Sequence, residues 1–324
     1  METYLPRIVD AELGSALRIA GAVLIEGPRG CGKTETGRHH AAGEVLLDTD
    51  ENALMLAGID PTAVLEGEVP RLIDEWQLEP RLWNHVRRTV DDRRAKGQFI
   101  LTSSATPSDR QLKHSGAARI LRLRMRTLSL SESGHSSAQV SLEDLMNGAL
   151  LEPRRNPSSP SVAAVAEIVC HGGWPAMLKL TAAQAQTLLR SYLEDIVRID
   201  LPKLEDGSRR NHERVRRTLT SIARDIRIYG QSLEARLMHY RDSAGTEVDQ
   251  IVSTPDGRWI AAEVKLGTNQ IDAAAASLLA FTAKLERKRT PEPAALVVFT
   301  TGEYAYSRPD GVKVVPITML GPCA

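Results

Sequence analysis

The chain has 324 residues, with 41 basic and 41 acidic side chains, so its formal net charge is zero. This length suits about two domains, and the balanced charge excludes a general electrostatic attraction to nucleic acid or to anionic membranes. The three cysteines have neither disulfide nor zinc-ligand spacing. The sequence contains no run of about 18 apolar residues, the length that a membrane-spanning helix needs. We therefore expect a soluble, cytoplasmic protein that does not enter a membrane.

The first informative element is a glycine-rich loop between an apolar run and a predicted helix. Residues 22–25 are typical of a buried parallel strand, and residues 34–42 can form a helix. The loop matches the phosphate-binding pattern G-x-x-x-x-G-K-[ST] with Gly27, Pro28, Arg29, Gly30, Cys31, Gly32, Lys33 and Thr34. We therefore predict an ATP site, in which Lys33 contacts the β- and γ-phosphates, Thr34 binds Mg²⁺ and Cys31 is a small filler. A glycine-rich turn that binds nothing is the alternative.

Acidic residues end the next two predicted strands. Residues 45–50 form the first of these strands, and its carboxylates could instead cap the following helix. Residues 71–77 form the second, with Asp74 and Glu75 after two apolar residues, as in a Walker B element. The carboxyl end of a parallel strand points into the phosphate crevice, so we predict that Asp74 holds Mg²⁺ and Glu75 orients the attacking water. A solvated acidic pair is the alternative.

Two further strands carry candidate ATPase residues. Residues 99–104 are apolar and end in hydroxyls. In P-loop ATPases with a strand inserted between the two Walker strands, the polar end of that strand touches the γ-phosphate and the lytic water, so we assign Ser104, or second Thr102, to this sensor role. Ordinary strand-end hydroxyls are an equal alternative. Residues 118–126 alternate apolar and basic side chains, which predicts a strand with arginines on one face. Arg119 is the candidate arginine finger, which would reach a phosphate in the same or a neighbouring subunit. The alternative is an edge strand that its charges protect.

The middle of the chain is predicted to be helical. Residues 153–160 are rich in proline and serine and indicate a linker, and helical patterns follow over 161–169 and 182–199. Arg209 to Arg227 then includes seven arginines and two acids. This excess is compatible with contact with nucleic acid phosphates. A solvated helix face is the stronger interpretation, because aromatic residues are not interleaved with the charges.

The C-terminal part combines predicted strands with an alanine-rich helix over 271–284. Asp249 and the Glu263-Val264-Lys265 segment fall on strands joined by a hairpin that turns at Asp256-Gly257. This arrangement resembles that of PD-(D/E)xK nucleases, in which two carboxylates share a metal ion and a lysine steadies a water molecule or the phosphate. The alternative is a cross-strand charge ladder, including Glu247, that cuts nothing.

The motifs together resemble one prokaryotic family, the AAA-type ATP-binding proteins with a C-terminal domain of unknown function. The resemblance rests on the phosphate loop, Leu-Ile-Asp-Glu-Trp-Gln, Leu-Thr-Ser-Ser-Ala, the Arg-x-Arg strand, Gly-Gly-Trp-Pro-Ala, Tyr-Arg-Asp, Glu-Val-Asp and Glu-Val-Lys. It implies that Lys33, Thr34, Asp74 and Glu75 form the ATP and Mg²⁺ site. Ser103 stands where such proteins usually have glycine, and the chain is shorter than its relatives between Gly230 and Leu237.

These inferences give one expected organisation. The fold class is α/β: an AAA-type P-loop ATPase domain over 1–135, a helical, partly winged-helix-like segment over 136–230, and an incomplete nuclease-like domain over 231–324. The expected function is a Mg²⁺-dependent ATPase that acts as a molecular switch. An oligomer is compatible with this function. One alternative is a metal-dependent nuclease that is regulated by ATP and contacts nucleic acid through its C-terminal domain. The other is a nucleotide-binding regulator that does not hydrolyse ATP.

Overall fold

A computed structural model describes residues 4–103, 116, 118–157, 159–195, 223–242, 246–265, 267–286 and 290–322. Its backbone divides into two compact units. The first unit comprises Met1–Leu128, Trp174–Leu178 and Leu189–Arg209, and the second comprises Ser129–Gly173, Lys179–Leu188 and Arg210–Ala324.

The first unit contains a five-stranded parallel sheet in the order β2-β3-β4-β1-β5. The strands are β1 Ala22–Glu26, β2 Gly43–Leu46, β3 Arg71–Asp74, β4 Phe99–Ser103 and β5 Ile120–Arg124. The helices are α1 Val9–Ile19, α2 Lys33–His40, α3 Glu51–Ile59 and α4 Leu82–Arg93, with 3₁₀ turns at Ala63–Leu65 and Trp76–Leu78. The predicted strand 99–104 thus lies between the phosphate-loop strand and the Asp74 strand, as expected for the ATPases that the sequence resembles.

Both faces of this sheet are covered, which explains why its central strands are apolar without alternation. Leu24 and Leu101 lie in a cluster with Trp83 and Val86 of α4. The other face includes Val23 and Ile25 with residues of α1, among them Leu13. Each fully buried side chain of this kind contributes roughly 1.5–3 kcal/mol, so the two clusters fix the strands that carry the candidate site.

The structure refines the predictions for two segments, residues 45–50 and the strand β5. Asp50 accepts a hydrogen bond from the Ala53 amide at 3.0 Å, so this carboxylate caps α3, as the alternative for that segment held. In β5 the alternation fails, because Leu121 is exposed beside Arg122. β5 is one of the two edge strands of this sheet in the described residues, and Leu121 meets solvent there.

The second unit contains a mixed seven-stranded sheet in the order β7-β12-β13-β11-β10-β9-β8. Its strands are β7 Arg154–Arg155, β8 Arg236–Arg241, β9 Glu247–Ser253, β10 Trp259–Val264, β11 Ala295–Thr300, β12 Tyr304–Ser307 and β13 Lys313–Pro316. The segments β6 Val140–Ser141 and β14 Leu320–Gly321 form a separate parallel pair. The predicted linker 153–160 therefore includes a paired strand, since β7 bonds to β12.

Helices accompany this sheet. They are α5 Leu142–Met146, α6 Val162–His171, the first part of α7 Ala182–Asp195, α8 Ala223–Tyr229 and α9 Ile271–Ala283. The rest of α7, from Leu189, and the 3₁₀ turn at Pro175–Met177 belong to the first unit. The helix α9 connects the parallel strands β10 and β11 and packs Leu278 and Phe281 into the core beside Val298. Within the described residues, every helix is too short or too polar to cross a membrane.

The predicted hairpin is confirmed by the register of β9 and β10. These strands are antiparallel, with Trp259 opposite Ser253 and Ala262 opposite Gln250. Gly257 has a φ of 89°, a left-handed conformation that glycine adopts without a steric penalty. This register brings Asp249 and Glu263, one residue further along, to the same level of the sheet.

Candidate nucleotide-binding site

The phosphate loop joins the carboxyl end of β1 to the amino end of α2. Gly30 and Gly32 have φ values of 72° and 101°, so both need the left-handed freedom of glycine. The first bond of α2 runs from the Thr36 amide to the Gly32 carbonyl at 2.9 Å. The amides that precede it have no partner within the helix, and the helix dipole makes this end attractive to anions.

Lys33 lies inside this loop. Its side chain is buried, and Nζ donates to the carbonyl oxygens of Gly27 and Pro28, each at 3.0 Å. The ammonium is therefore held against the first two loop residues. A cation in this place can meet the outer phosphates of a bound nucleotide.

Asp74 is the centre of a hydrogen-bonded group at the carboxyl edge of the sheet. Thr34 Oγ1 donates to its carboxylate, at 3.0 Å from Oδ1 and 3.1 Å from Oδ2, and Thr102 Oγ1 donates to Oδ1. Burial raises the pKa of Asp74, partly offset by these two bonds, and the nearby charges of Glu75 and Asp48 raise it further. The structure thus brings together the predicted metal ligands Thr34 and Asp74.

The hydroxyl of Thr102, the second candidate for the sensor role, contacts Asp74. Thr102 is 1% exposed and directs its hydroxyl to Asp74, so it holds that carboxylate in place. The preferred sensor, Ser104, lies outside the described residues. Sensing by Ser104 stays a prediction.

Glu75 follows Asp74 at a sharp turn of the backbone. Its φ of 51° and ψ of 42° are left-handed, which is uncommon for a residue with a side chain. The carboxylate accepts a hydrogen bond from Gln77 Nε2. The strand therefore ends at Asp74, and Glu75 lies at the edge of the sheet where the phosphate loop begins.

Arg119 is not brought to the phosphate loop of its own chain. It precedes β5 at the amino edge of the sheet, where Ile120 pairs with Ala22, whereas the loop follows Glu26 at the carboxyl edge. Four residues of strand separate these edges, roughly 13 Å. Arg119 Nε is 2.9 Å from Asp91 Oδ1. The described contacts do not support a finger role for Arg119 within one subunit, and its role as an arginine finger stays a prediction.

Cys31 fits the role of a small filler. Its side chain is fully buried, and burial raises the pKa of its thiol, which disfavours the reactive thiolate. Its carbonyl oxygen accepts a 2.8 Å bond from Arg7 Nη1. The position thus serves the shape of the loop.

Three residues at the loop have no motif of their own in the sequence. Arg7 donates through Nη1 to Cys31 and through Nη2 to the Arg126 carbonyl at 2.9 Å. Trp174 Nε1 and the Tyr192 hydroxyl both donate to the Arg29 carbonyl, at 3.1 and 3.2 Å. The only signal in the sequence is the Gly-Gly-Trp-Pro punctuation, which marks a turn and does not reveal its partner.

The three residues of the second predicted site, Asp249, Glu263 and Lys265, lie close together in the second unit. Lys265 Nζ is 2.5 Å from Glu263 Oε2 and 3.5 Å from Asp249 Oδ2. Burial raises the pKa of Glu263; for Lys265, burial acts to lower the pKa, but the two carboxylates outweigh it and raise it. Glu247 lies 2.9 Å from His239 on the neighbouring strand β8, and its part in the alternative charge ladder stays a prediction. The described residues include no group of three or more His, Cys, Asp or Glu suited to a metal ion.

The predicted basic segment is mostly outside the described residues. The structure describes Arg227, in α8, whereas residues 209–222 fall outside it. Contact with nucleic acid through Arg209 to Arg227 therefore stays a prediction.

Three family models match parts of the sequence. Residues 20–134 match the AAA domain family, residues 220–320 match a domain of unknown function (DUF4143), and residues 162–241 match a second one (DUF8612). The crystal structure of the FIGL-1 AAA domain in complex with ADP is similar at 16% identity and a TM-score of 0.31, over 70% of this chain and 82% of that chain. No curated protein matches the sequence.

The AAA match covers the phosphate loop, Asp74 and Glu75, and supports a nucleotide-binding ATPase of the AAA class. The C-terminal domain of unknown function is present as predicted. Its nuclease-like character, the domain boundaries at 135 and 230, and the internal shortening stay predictions.

Proposed function

We propose that this protein is a Mg²⁺-dependent ATPase that works as a molecular switch. The observation that carries the proposal is the hydrogen-bonded group of Asp74, which accepts from Thr34 of the phosphate loop and from Thr102 of the intervening strand. A carboxylate and a loop hydroxyl that meet beside a phosphate cradle are the parts that a P-loop ATPase needs.

The donor set suits Mg²⁺. This ion prefers oxygen ligands and is usually held by one or two carboxylates together with phosphates and water. Thr34 and Asp74 offer a hydroxyl and a carboxylate whose oxygens are 3.0 Å apart. Because burial raises the pKa of Asp74, its charged form lacks full compensation, and a cation would supply it. Thr34 and Asp74 would hold the ion, which would neutralise part of the phosphate charge when bound.

The chain's own groups would carry out the remaining tasks. The loop amides and Lys33 hold the phosphates, and Thr102 keeps Asp74 directed toward Thr34. Glu75 is the group that would orient a water molecule and accept its proton. Gln77 donates to Glu75 and so restrains the direction of its carboxylate.

Binding and turnover test the proposal separately. Lys33→Ala should abolish ATP binding measured by calorimetry, whereas Lys96→Ala, at an exposed lysine, should leave it unchanged. Glu75→Gln should retain binding and lose phosphate release, because the amide cannot accept the proton. Equal ATP affinity in Lys33→Ala and wild type would reject a nucleotide site in this loop.

The switch role requires a response to the state of the nucleotide. Mass measurement of the protein with ATP, with ADP and without nucleotide should show a change in assembly or shape in the ATP state. Glu75→Gln should hold the protein in that state. Protein that binds ATP but never releases phosphate, alone or with candidate partners, would favour the non-hydrolysing regulator.

A metal-dependent nuclease is the second candidate. The favouring observation is the convergence of Asp249, Glu263 and Lys265, with 2.5 Å between the lysine and the buried glutamate. The test is incubation of the protein with DNA and RNA in Mg²⁺ or Mn²⁺, beside Glu263→Ala. Cleavage that needs metal and is lost in the variant would support it, and equal cleavage by the two proteins would reject it.

A further inference from the structure

One carbonyl oxygen of the phosphate loop receives two side-chain hydrogen bonds. Trp174 Nε1 and the Tyr192 hydroxyl donate to the Arg29 oxygen at 3.1 and 3.2 Å. A carbonyl oxygen has two lone pairs, so this pair of donors can occupy both. The two rings are also in contact, with centroids 5.1 Å apart in an edge-to-face arrangement.

These two bonds also orient the amide N–H of the same peptide unit. A trans peptide is planar, so its C=O and N–H point in opposite directions. Holding the Arg29 oxygen against Trp174 and Tyr192 therefore turns the Gly30 N–H away from them. Gly30 has a φ of 72° and no side chain, so without this restraint the peptide could rotate at little steric cost.

The surrounding contacts place the aromatic pair along the loop. Trp174 is 7% exposed, and its Cδ1 lies 3.5 Å from the position of a Cβ placed on Gly30. Pro175 Cγ lies 3.8 Å from the corresponding position on Gly32. The aromatic side of the loop is therefore filled by protein, and an anion must approach the Gly30 amide from the opposite side.

We propose that Trp174 and Tyr192 are positioning residues for phosphate recognition, which fix the Arg29–Gly30 peptide so that its N–H faces the bound phosphate. This inference rests on the proposed nucleotide site in the loop. It adds to that site two residues from outside the matched AAA domain, which ends at residue 134.

The test uses pyrophosphate as a probe, because it has phosphates and no base or ribose. In Trp174→Phe/Tyr192→Phe an aromatic ring remains at each position, although smaller at 174, and both donors are lost. Two neutral hydrogen bonds correspond to about a tenfold weaker pyrophosphate affinity by calorimetry. ATP affinity should fall by a similar factor, with kcat changed less than KM.

Trp259→Phe is the matched control. Its Nε1 also donates to a carbonyl, that of Pro291 at 2.9 Å, and its side chain is likewise 7% exposed, but it belongs to the second unit. This variant should bind pyrophosphate as wild type does. If the double variant does not fold, Tyr192→Phe alone should weaken binding by about threefold, since its ring is already partly exposed.

Three outcomes overturn the inference. The first is wild-type pyrophosphate affinity in the folded double variant, and the second is a loss confined to ATP, which would indicate contact with the base. The third is an equal loss in Trp259→Phe, which would indicate a general effect on stability. The failure of the proposed function looks different: wild type and Lys33→Ala would then have the same pyrophosphate affinity.

Discussion

Adding one methyl group at Gly27 should damage the ATPase site more than its size suggests. A Cβ placed on Gly27 lies 2.3 Å from the Met125 backbone oxygen and 3.2 Å from Cys31 Sγ. The first distance is shorter than normal contact by roughly 1 Å. Relief by rotation is not available, because the obstacle is backbone and the Met125 amide is bonded to the Glu26 carbonyl at 2.7 Å.

Two magnitudes follow for Gly27→Ala. Overpacking of this kind costs about 2 kcal/mol in the free energy of unfolding. Displacing the first loop residue by about 1 Å should also lower kcat/KM for ATP by about a hundredfold, because the phosphate-binding groups move with it. Urea unfolding followed by tryptophan fluorescence measures the first quantity, and phosphate release measures the second.

Gly14→Ala is the matched control, with the same added methyl group. Gly14 lies inside α1, and a Cβ there has only Arg18 Nη1 nearby, at 3.8 Å. Replacing a helical glycine by alanine should raise the free energy of unfolding by up to about 1 kcal/mol. The reasoning is refuted if Gly27→Ala unfolds at the wild-type urea concentration and hydrolyses ATP at the wild-type rate.

Three other predictions follow from the same structure. Thr102→Val keeps the shape but removes the donor to Asp74, so Mg²⁺-dependent turnover should fall about tenfold with unchanged secondary structure by circular dichroism; an unchanged rate would contradict it. Because burial raises the pKa of Asp74 and Mg²⁺ binds its charged form, turnover should be lost on acidification at a higher pH than an ordinary aspartate would give. The raised pKa also affects the stability of the nucleotide-free protein. The contribution of Asp74 to the free energy of unfolding should be largest at low pH and should be lost as the pH rises through the raised pKa. Asp74→Asn should abolish this pH dependence. Lys265→Met should lower the free energy of unfolding by about 2 kcal/mol in urea, since Glu263 is left buried without its cation, whereas Lys284→Met, at an exposed lysine, should change it by less than about 0.5 kcal/mol.

The sequence was sufficient where a local pattern determines structure. The apolar run before Gly27, the loop glycines and the apolar pair before Asp74 each specify their own strand or turn. Their chain order, together with the class of ATPase that it indicated, also predicted the position of β4 between β1 and β3. The hairpin that joins Asp249 to Glu263 was predicted for the same reason, since Asp256-Gly257 is a turn signal in itself.

The remaining features depend on contacts between distant parts of the chain. Thr102 and Ser104 are equivalent as strand-end hydroxyls, and only the neighbouring strand reveals that Thr102 bonds to Asp74. Alternation suggested that the arginines of β5 share a face, but the edge position exposes Leu121 as well. Arg119 was placed near the phosphates because its strand was predicted without its direction relative to the loop.

The contacts of Arg7 bear on how the ATPase can be isolated for experiments. Its guanidinium joins the Cys31 carbonyl in the loop to the Arg126 carbonyl beyond β5, and its side chain is buried. A fragment cut to the AAA match, residues 20–134, would lose Arg7, α1, Trp174 and Tyr192 together. Such a fragment would contain every recognisable ATPase motif and still lack the three side chains that hold the loop carbonyls of Arg29 and Cys31. Weak nucleotide binding by that fragment would therefore be caused by the missing side chains, and it would not measure the nucleotide affinity of the whole chain.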